Sequence, residues 1–147
     1  MQMKIYLAVS ALILFALASC GEPGRARVSD QELVGKYTME FGVTFVTTGQ
    51  GVAAVRAKEQ LTLNQDKTYT QTFSSATRDF TNHGRWKTSN ELLGGTEIEL
   101  AGFILSEDDP SDSQVKPGFL NLQVHRENGT LRLARNEVAD SYYNRVE

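Results

Sequence analysis

Apolar and polar residues alternate with a period of two along most of the chain after Leu33. In residues 36–41, for example, Tyr37, Met39 and Phe41 share one face and polar residues occupy the other. This alternation is typical of a β-strand that is buried on one side. No segment shows convincing helical periodicity. The predicted strands are residues 36–41, 60–63, 68–73, 83–88, 97–105, 119–126, 130–135 and 140–146.

Short turn sequences separate these strands. Asn128-Gly129 is the strongest short hairpin signal, and residues 64–67 supply a second turn. Residues 43–57 leave three alternatives open: a strand, a glycine-hinged loop, or a short helix at residues 52–57. Eight short antiparallel strands with hairpin-length connections predict an all-β, up-and-down antiparallel barrel or a closely related sandwich. Closure of a barrel removes the sheet edges that invite pairing with other chains.

The N-terminal residues have the pattern of a secretory signal. Lys4 is the only charge before fifteen uncharged residues, 5–19, and Cys20 then precedes the breaker-rich sequence GEPGR. A membrane-spanning helix needs about 20 apolar residues, so this segment is marginal as an anchor by itself. Cys20 is the only cysteine in the chain, which excludes an internal disulfide.

Residues 17–20, LASC, resemble the lipobox of bacterial lipoproteins. The resemblance implies that the Cys20 sulfur takes a diacylglyceryl group, that the preceding peptide is removed, and that the new amino terminus is acylated. Each buried methylene contributes about 0.8 kcal/mol, so several acyl chains make a durable membrane anchor. The alternative is an unpaired cysteine after an ordinary cleaved signal. Gly21, in place of the aspartate that retains proteobacterial lipoproteins in the inner membrane, favours the outer membrane and a periplasmic location.

The sequence divides into three predicted segments. Residues 1–19 are the predicted signal peptide, residues 20–32 the lipidated cysteine and tether, and residues 33–147 one barrel domain.

The mature chain is acidic. Without Lys4, 14 of the 15 basic residues remain against 18 acidic residues, a net charge of −4. The basic residues are scattered, so we expect no nucleic-acid partner.

Four residue groups resemble small bacterial lipoproteins with a lipocalin-like domain. Residues 33–37, LVGKY, resemble the opening Gly-x-Trp strand of that family, with Tyr37 replacing tryptophan. Residues 61–69, LTLNQDKTY, resemble its second hairpin, with Lys67 where glycine is common. The other two groups are residues 84–86 followed by 98–100, and residues 142–143. The resemblance implies a lipocalin-like barrel, and its motifs are structural rather than catalytic.

Residues with catalytic or metal-binding chemistry are few. His83 and His125 are the only histidines, and neither has a second metal ligand at useful spacing. No Gly-x-Ser-x-Gly sequence is present, and a triad needs a histidine beside a nucleophile. The acidic segment 106–113 contains a proline and does not match a calcium-binding EF-hand loop. We therefore expect no enzymatic activity, no cofactor and no metal.

The predicted function is a membrane-anchored, non-enzymatic barrel whose interior or mouth binds a small apolar or amphipathic ligand. Each candidate lining residue has the alternative role of filling the core. The alternative function is capture of an envelope protein, as an inhibitor or assembly factor, through residues 43–57 and 106–117. The candidate lining residues are Tyr37, Phe41, Tyr69, Phe73, Trp86, Phe103 and Phe119.

Overall fold

The computed structural model describes residues 24–47, 51–91, 94–105, 115–135 and 141–146; for 43–47, 51–55 and 91 it describes the backbone only. The predictions for the signal peptide, for Cys20 and for the acidic segment from Glu107 to Asp112 lie outside the described residues.

Eight antiparallel strands form a closed up-and-down barrel, which confirms the predicted fold class. Each strand pairs with its neighbours along the chain, and β8 closes the barrel against β1 through Tyr37–Arg145 and Thr38–Asn144. The strands are β1 (Gly35–Thr47), β2 (Gly51–Leu63), β3 (Thr68–Ser75), β4 (Asp79–Glu91), β5 (Gly95–Phe103), β6 (Gly118–Glu127), β7 (Thr130–Arg135) and β8 (Tyr142–Arg145).

A single turn of helix, α1 (Asp30–Leu33), precedes the barrel. Ser29 and Glu32 form a capping box: the Ser29 hydroxyl accepts a hydrogen bond from the Glu32 amide, and the Glu32 carboxylate accepts one from the Ser29 amide. The spacing Ser-x-x-Glu is the sequence signature of this motif. Hydrogen bonds from the Ser29 amide and then from Arg126 lower the pKa of Glu32. The capping box explains why so short a helix forms here.

Residues 24–28 pack onto the barrel wall and do not form the predicted tether. Beyond the pair Glu97–Gln123, the backbones of β5 and β6 no longer pair with each other. Ala26 fills this gap: its amide donates to the Val124 carbonyl, and its carbonyl accepts from the Thr96 amide, both at 2.9 Å. Because these backbone groups would otherwise lack partners, the segment completes the sheet. The tether predicted over residues 20–32 is therefore wrong from Gly24 onward.

The helix α1 covers one end of the barrel, which we call the capped end. Leu33 is fully buried there, and its carbonyl accepts a hydrogen bond from the Tyr37 hydroxyl at 2.9 Å. The Arg145 guanidinium donates to the carbonyls of Glu32 at 2.6 Å and Val34 at 2.8 Å. The connections β2–β3, β4–β5 and β6–β7 lie at this end, and the other connections lie at the opposite end, which we call the far end.

Of residues 43–57, which the sequence left ambiguous, residues 43–47 and 51–57 form strand. Pairing between β1 and β2 continues from Gly42–Arg56 to Thr47–Gly51, whereas β2 pairs with β3 only as far as Ala57. The two strands therefore extend beyond the barrel at the far end. We call this two-stranded extension, residues 42–47 and 51–56, the arm.

Two turns contain residues in the left-handed backbone conformation. Asn128 and Gly129 have φ angles of 49° and 82°, which confirms the predicted hairpin turn. Lys67 has a φ of 67°, at the position where lipocalin-like hairpins commonly carry glycine.

Candidate functional site

The structure buries most of the predicted lining residues but separates them into different environments. Phe41 is half-buried, and Phe119 is 76% exposed. The prediction that Phe119 lines the interior is wrong, because the alternation of β6 directs its even-numbered neighbours inward instead. The buried members of the predicted set are Tyr37, Tyr69, Phe73, Trp86 and Phe103.

Two of the predicted residues complete the core near the capped end. The Tyr37 hydroxyl is held by the Leu33 carbonyl, and the Trp86 indole donates from Nε1 to the Asn64 carbonyl at 3.0 Å. Both polar groups are therefore satisfied inside the protein. These two rings fill the core, which was the alternative role for each of them.

The aromatic residues near the far end contact one another. The Phe73 ring stacks on Phe80 with centroids 5.2 Å apart and lies 6.2 Å from the Phe41 centroid. The Arg78 guanidinium lies 5.0 Å from the Phe73 centroid, within cation–π range. Phe80, a residue that the sequence pattern did not single out, is half-buried. These rings form an apolar wall near the far end, which we call the aromatic wall (Phe41, Phe73 and Phe80).

Buried polar side chains lie inside the barrel beside this wall. Glu59 and Gln71 have no exposed surface, and the Gln71 amide nitrogen donates to Glu59 Oε1 and to the Ile104 carbonyl, the latter at 2.7 Å. Asn82 Nδ2 donates to Gln71 Oε1 at 3.1 Å and to the Gly102 carbonyl at 2.7 Å. One hydrogen-bonded network thus joins β2, β3, β4 and the end of β5.

The end of β5 explains why the network exists. The register of β5 against β6 shifts between Ala101 and Phe103, and Gly102 has a φ of 83°. The last pair between β4 and β5 is Arg85–Ala101, so the following backbone loses its strand partner. The amides of Gln71 and Asn82 bond to that backbone instead, which keeps its buried polar groups satisfied.

Arg135 completes the network from β7 and reaches solvent. Its Nη1 lies 3.6 Å from Glu59 Oε2, its side chain is 16% exposed, and its guanidinium lies 5.8 Å from the centroid of Phe103. The 3.6 Å separation is an ion-pair distance and is longer than a hydrogen bond. A guanidinium carries five N–H donors. Within the described ranges, none of the Arg135 side-chain donors makes a hydrogen bond that meets distance and angle criteria.

The Tyr143 hydroxyl is a buried polar group without a well-formed hydrogen bond. It is buried beside Glu59, and no atom in the described part of the chain meets both the distance and the angle of a hydrogen bond with it. Burial and then the negative charge of Glu59 raise its pKa well above the ordinary value, and the charge of Arg135 opposes this. Buried hydroxyls are normally hydrogen-bonded, so an unsatisfied one marks a place where a ligand or water can bind.

Taken together, the interior offers donors rather than a catalytic pair. Arg135 and Tyr143 both present N–H or O–H groups toward Glu59, whose Oε1 accepts from Gln71 and whose Oε2 faces the Arg135 guanidinium at 3.6 Å. A ligand group that accepts hydrogen bonds matches this arrangement. We call these residues, with Gln71 and Asn82, the polar cluster.

The two histidines lie outside the polar cluster. His83 is exposed on β4, with Nδ1 3.3 Å from the Thr70 hydroxyl. His125 is half-buried on β6, where its ring meets that of Tyr142 edge-on with centroids 5.8 Å apart. Among the described residues, no three His, Cys, Asp or Glu side chains come together as a metal site.

A cleft of about 420 Å³ also lies on the outer surface near the capped end, and Lys67 and Trp86 help to line it. The Lys67 ammonium lies 3.8 Å from the centroid of Trp86 and pairs with Asp30. Hydrogen bonds from Lys67 and Thr88 lower the pKa of Asp30. Because Lys67 and Asp30 already pair with each other, this cleft is a weaker candidate for a binding site than the polar cluster.

Sequence reasoning missed the polar cluster, although one signal was present. Glu59 occupies the inward position between Ala57 and Leu61, and Gln71 occupies the inward position between Tyr69 and Phe73 on β3. A polar residue at an inward position of an alternating strand indicates either a register error or a buried polar group. The partners on β7 and β8 could not be identified without the closed barrel.

Comparisons with known proteins give no relatives: no protein-family model, no curated protein and no solved structure matches this chain. The resemblance to lipocalin-like lipoproteins therefore stays a prediction. Within the described ranges, no helix has the length and apolar character needed to cross a bilayer.

Proposed function

We propose that this protein is a lipid-anchored, non-enzymatic barrel of the bacterial cell envelope that binds a small amphipathic ligand near its far end. The observation that carries the proposal is that the Arg135 guanidinium, which faces Glu59, and the Tyr143 hydroxyl, which is buried without a well-formed hydrogen bond, lie together inside a barrel whose adjoining wall is aromatic. The donors suit a polar head group, and the aromatic wall suits an apolar chain.

The chemistry of the polar cluster favours binding over catalysis. Arg135 does not act as a general base at ordinary pH, and the burial that raises the pKa of Tyr143 keeps that hydroxyl protonated. The carboxylate of Glu59 is held by Gln71 and faces Arg135, so it acts as an internal counter-ion. Apolar contact contributes about 25 cal/mol per Å² removed from water, so the aromatic wall supplies affinity and the donors supply orientation.

The anchor is the part of the proposal that rests on the lipobox resemblance. Cys20 is the proposed lipidation site, and Gly21 favours the outer membrane with the barrel facing the periplasm.

We expect Cys20→Ala to release the protein from membranes or to leave its signal peptide uncleaved. The physical reason is that the sulfur is the proposed attachment point for the diacylglyceryl group. Mass spectrometry of the protein from its native host should show an acylated N-terminal Cys20, and membrane fractionation should show the variant displaced. Processed, soluble protein with an unmodified Cys20 would refute the anchor.

Ligand binding is tested by calorimetry on the mature chain carrying Cys20→Ala, with fatty acids and their methyl esters as matched probes. We expect the carboxylates to bind more tightly, and Arg135→Lys to weaken their binding by about tenfold or more. A lysine keeps the charge but loses the planar fork of donors. A hydrogen bond to a charged group contributes about 1.5–3 kcal/mol, which corresponds to that loss.

Arg132→Lys is the matched control for this measurement. Arg132 lies on the same strand but on the outer face, where it pairs with Glu127 and donates to the Asn144 side chain at 2.7 Å. Its replacement should leave probe binding unchanged. Equal losses in the two variants, or no binding of any probe to the parent chain, would contradict the proposed function.

The arm supports a second candidate function, capture of an envelope protein. In the arm, β1 pairs with β2, and no other described strand pairs with residues 42–47 of β1. Residues 42–55 carry no charge, and Arg56 is the only charged residue at the end of this segment. An uncharged strand edge of this kind is a template for adding a strand from another protein. Capture of an envelope protein through the arm, with probe binding absent, would favour this alternative.

A further inference from the structure

We infer that the barrel stands with its capped end toward the bilayer that holds its anchor, and that its far end, with the proposed ligand site, points away from that bilayer. The interaction surface is the capped end, and its partner is a phospholipid membrane. The inference rests on the proposed lipidation of Cys20.

The first described residue fixes where the chain leaves the barrel. The Gly24 carbonyl accepts a hydrogen bond from the Arg126 amide at 2.9 Å, and Arg25 forms a β-bridge with His125. The Arg25 guanidinium also donates to the Gly94 carbonyl at 3.3 Å. Arg126 is near the end of β6, just before the β6–β7 turn, and Gly94 belongs to the β4–β5 connection. Both connections lie at the capped end, so Gly24 does as well.

The chain between the anchor and this point is short. Only residues 21–23 lie between Cys20 and Gly24. An extended chain spans at most about 3.6 Å per residue, so Gly24 lies within about 14 Å of the Cys20 Cα. The acyl chains on Cys20 would lie in the bilayer, so the capped end remains close to the lipid head groups.

When the barrel stands upright, its far end lies farther from the bilayer than the segment from Cys20 to Gly24 can span. The eight residues of β3 run from one end to the other. At about 3.3 Å per residue the strand is about 25 Å long, and a tilt of about 35–45° leaves about 20 Å along the barrel axis. The arm extends farther still in the same direction.

Charge favours the upright position over one in which the barrel lies on its side. The connection from β5 to β6 leaves the barrel at the far end, and its sequence contains Glu107, Asp108, Asp109 and Asp112. Arg25 and Arg27 belong instead to the segment at the capped end. The exposed carboxylates of α1 at the capped end, Asp30 and Glu32, pair with Lys67 and Arg126, so an anionic membrane surface repels mainly the four carboxylates of the β5–β6 connection.

This orientation has a consequence for the ligand. The proposed site would face the aqueous compartment rather than the lipid plane of the anchoring membrane. The amphipathic ligand would therefore reach the site through water or from a soluble carrier, and not by direct extraction from the bilayer beneath the barrel.

The experiment places a fluorescent donor at either end of the lipidated, full-length protein. Thr130→Cys and Thr77→Cys are matched variants at exposed positions, at the capped and far ends respectively. With the Cys20 sulfur acylated, each introduced cysteine is the only reactive thiol. The labelled proteins are reconstituted into phosphatidylethanolamine–phosphatidylglycerol vesicles that contain an acceptor on a lipid head group.

We expect energy transfer to be stronger from Thr130→Cys, corresponding to a distance to the bilayer about 20 Å shorter than from Thr77→Cys. Ten glycine and serine residues inserted between Gly21 and Glu22 should weaken transfer from Thr130→Cys. Membrane-bound protein with equal transfer from both positions, or stronger transfer from Thr77→Cys, would overturn the orientation and leave the anchor intact. If the protein proves to be unlipidated at Cys20 and does not bind the vesicles, both the orientation and the anchor would be overturned.

Discussion

Replacing Trp86 with alanine is expected to lower the free energy of unfolding by about 3–5 kcal/mol. Trp86 is only 3% exposed and belongs to the hydrophobic core. The replacement would leave a cavity, and it would also remove the donor that bonds to the Asn64 carbonyl in the β2–β3 turn. Urea titration of the mature chain measures the effect, as a lower midpoint with an unchanged slope.

Two further variants show whether the loss comes from packing. Trp86→Phe keeps most of the ring and should cost less than the alanine variant. Phe119→Ala removes an aromatic residue that is 76% exposed, and it should change stability by no more than about 0.5 kcal/mol. A loss below about 1 kcal/mol for Trp86→Ala would mean that this ring is not part of the core.

The second large effect is expected from Arg135→Met, which should cost about 3–5 kcal/mol because it leaves the charge of Glu59 buried without its partner. Glu59 has no exposed surface, so in the parent protein its charge is compensated by the guanidinium rather than by bulk water. Adding Glu59→Gln to this variant should restore much of the stability, since a neutral amide can still accept the hydrogen bond from Gln71. Unfolding of the parent, both single variants and the double variant gives the coupling energy.

Arg132→Met is the control for that cycle. Its guanidinium pairs with Glu127 on the outer face, and both side chains are more than one-third exposed. Such surface pairs contribute at most about 1 kcal/mol, so this variant should remain close to the parent. A double variant that is no more stable than Arg135→Met alone would show that the charge of Glu59 is not the source of the loss.

These stability results also bear on the proposed function. Buried ion pairs are weak evidence for stability, because well-packed apolar residues of similar size are often as stable or more so. The presence of the Glu59–Arg135 pair is therefore not by itself evidence that it stabilises the fold. The conservative change Arg135→Lys separates a role in recognition from one in stability, since it keeps a cation beside Glu59 and removes the planar fork of donors.

The strands, and hence the fold class, were predictable from the sequence alone. A strand that is buried on one side must alternate, so the period of two located all eight strands of the barrel. The left-handed turn at Asn128-Gly129 was also predictable, because the backbone preferences of these two residues are local. The sequence did not resolve residues 43–57, where glycines interrupt an otherwise apolar segment.

The candidate site was only partly predictable. Tyr69, Phe73 and Phe103 were placed correctly in the interior, but Phe119 was assigned to the wrong face. Aromatic character alone does not decide which face of a strand a residue occupies. On β6 the inward face is set by three aliphatic residues, Leu120, Leu122 and Val124, and Phe119 falls on the opposite face.

The membership of the polar cluster and the place where the chain enters the barrel depend on contacts that form only in the folded barrel. Glu59 and Arg135 are 76 positions apart in the sequence and meet only because the barrel closes. Residues 25–28, Arg-Ala-Arg-Val, alternate over only four positions, too few to predict a strand, and they join the sheet because β5 and β6 separate and leave backbone groups to be satisfied. Local patterns record which side of a strand is buried, whereas contacts across a closed barrel depend on register and on gaps in pairing that no local pattern contains.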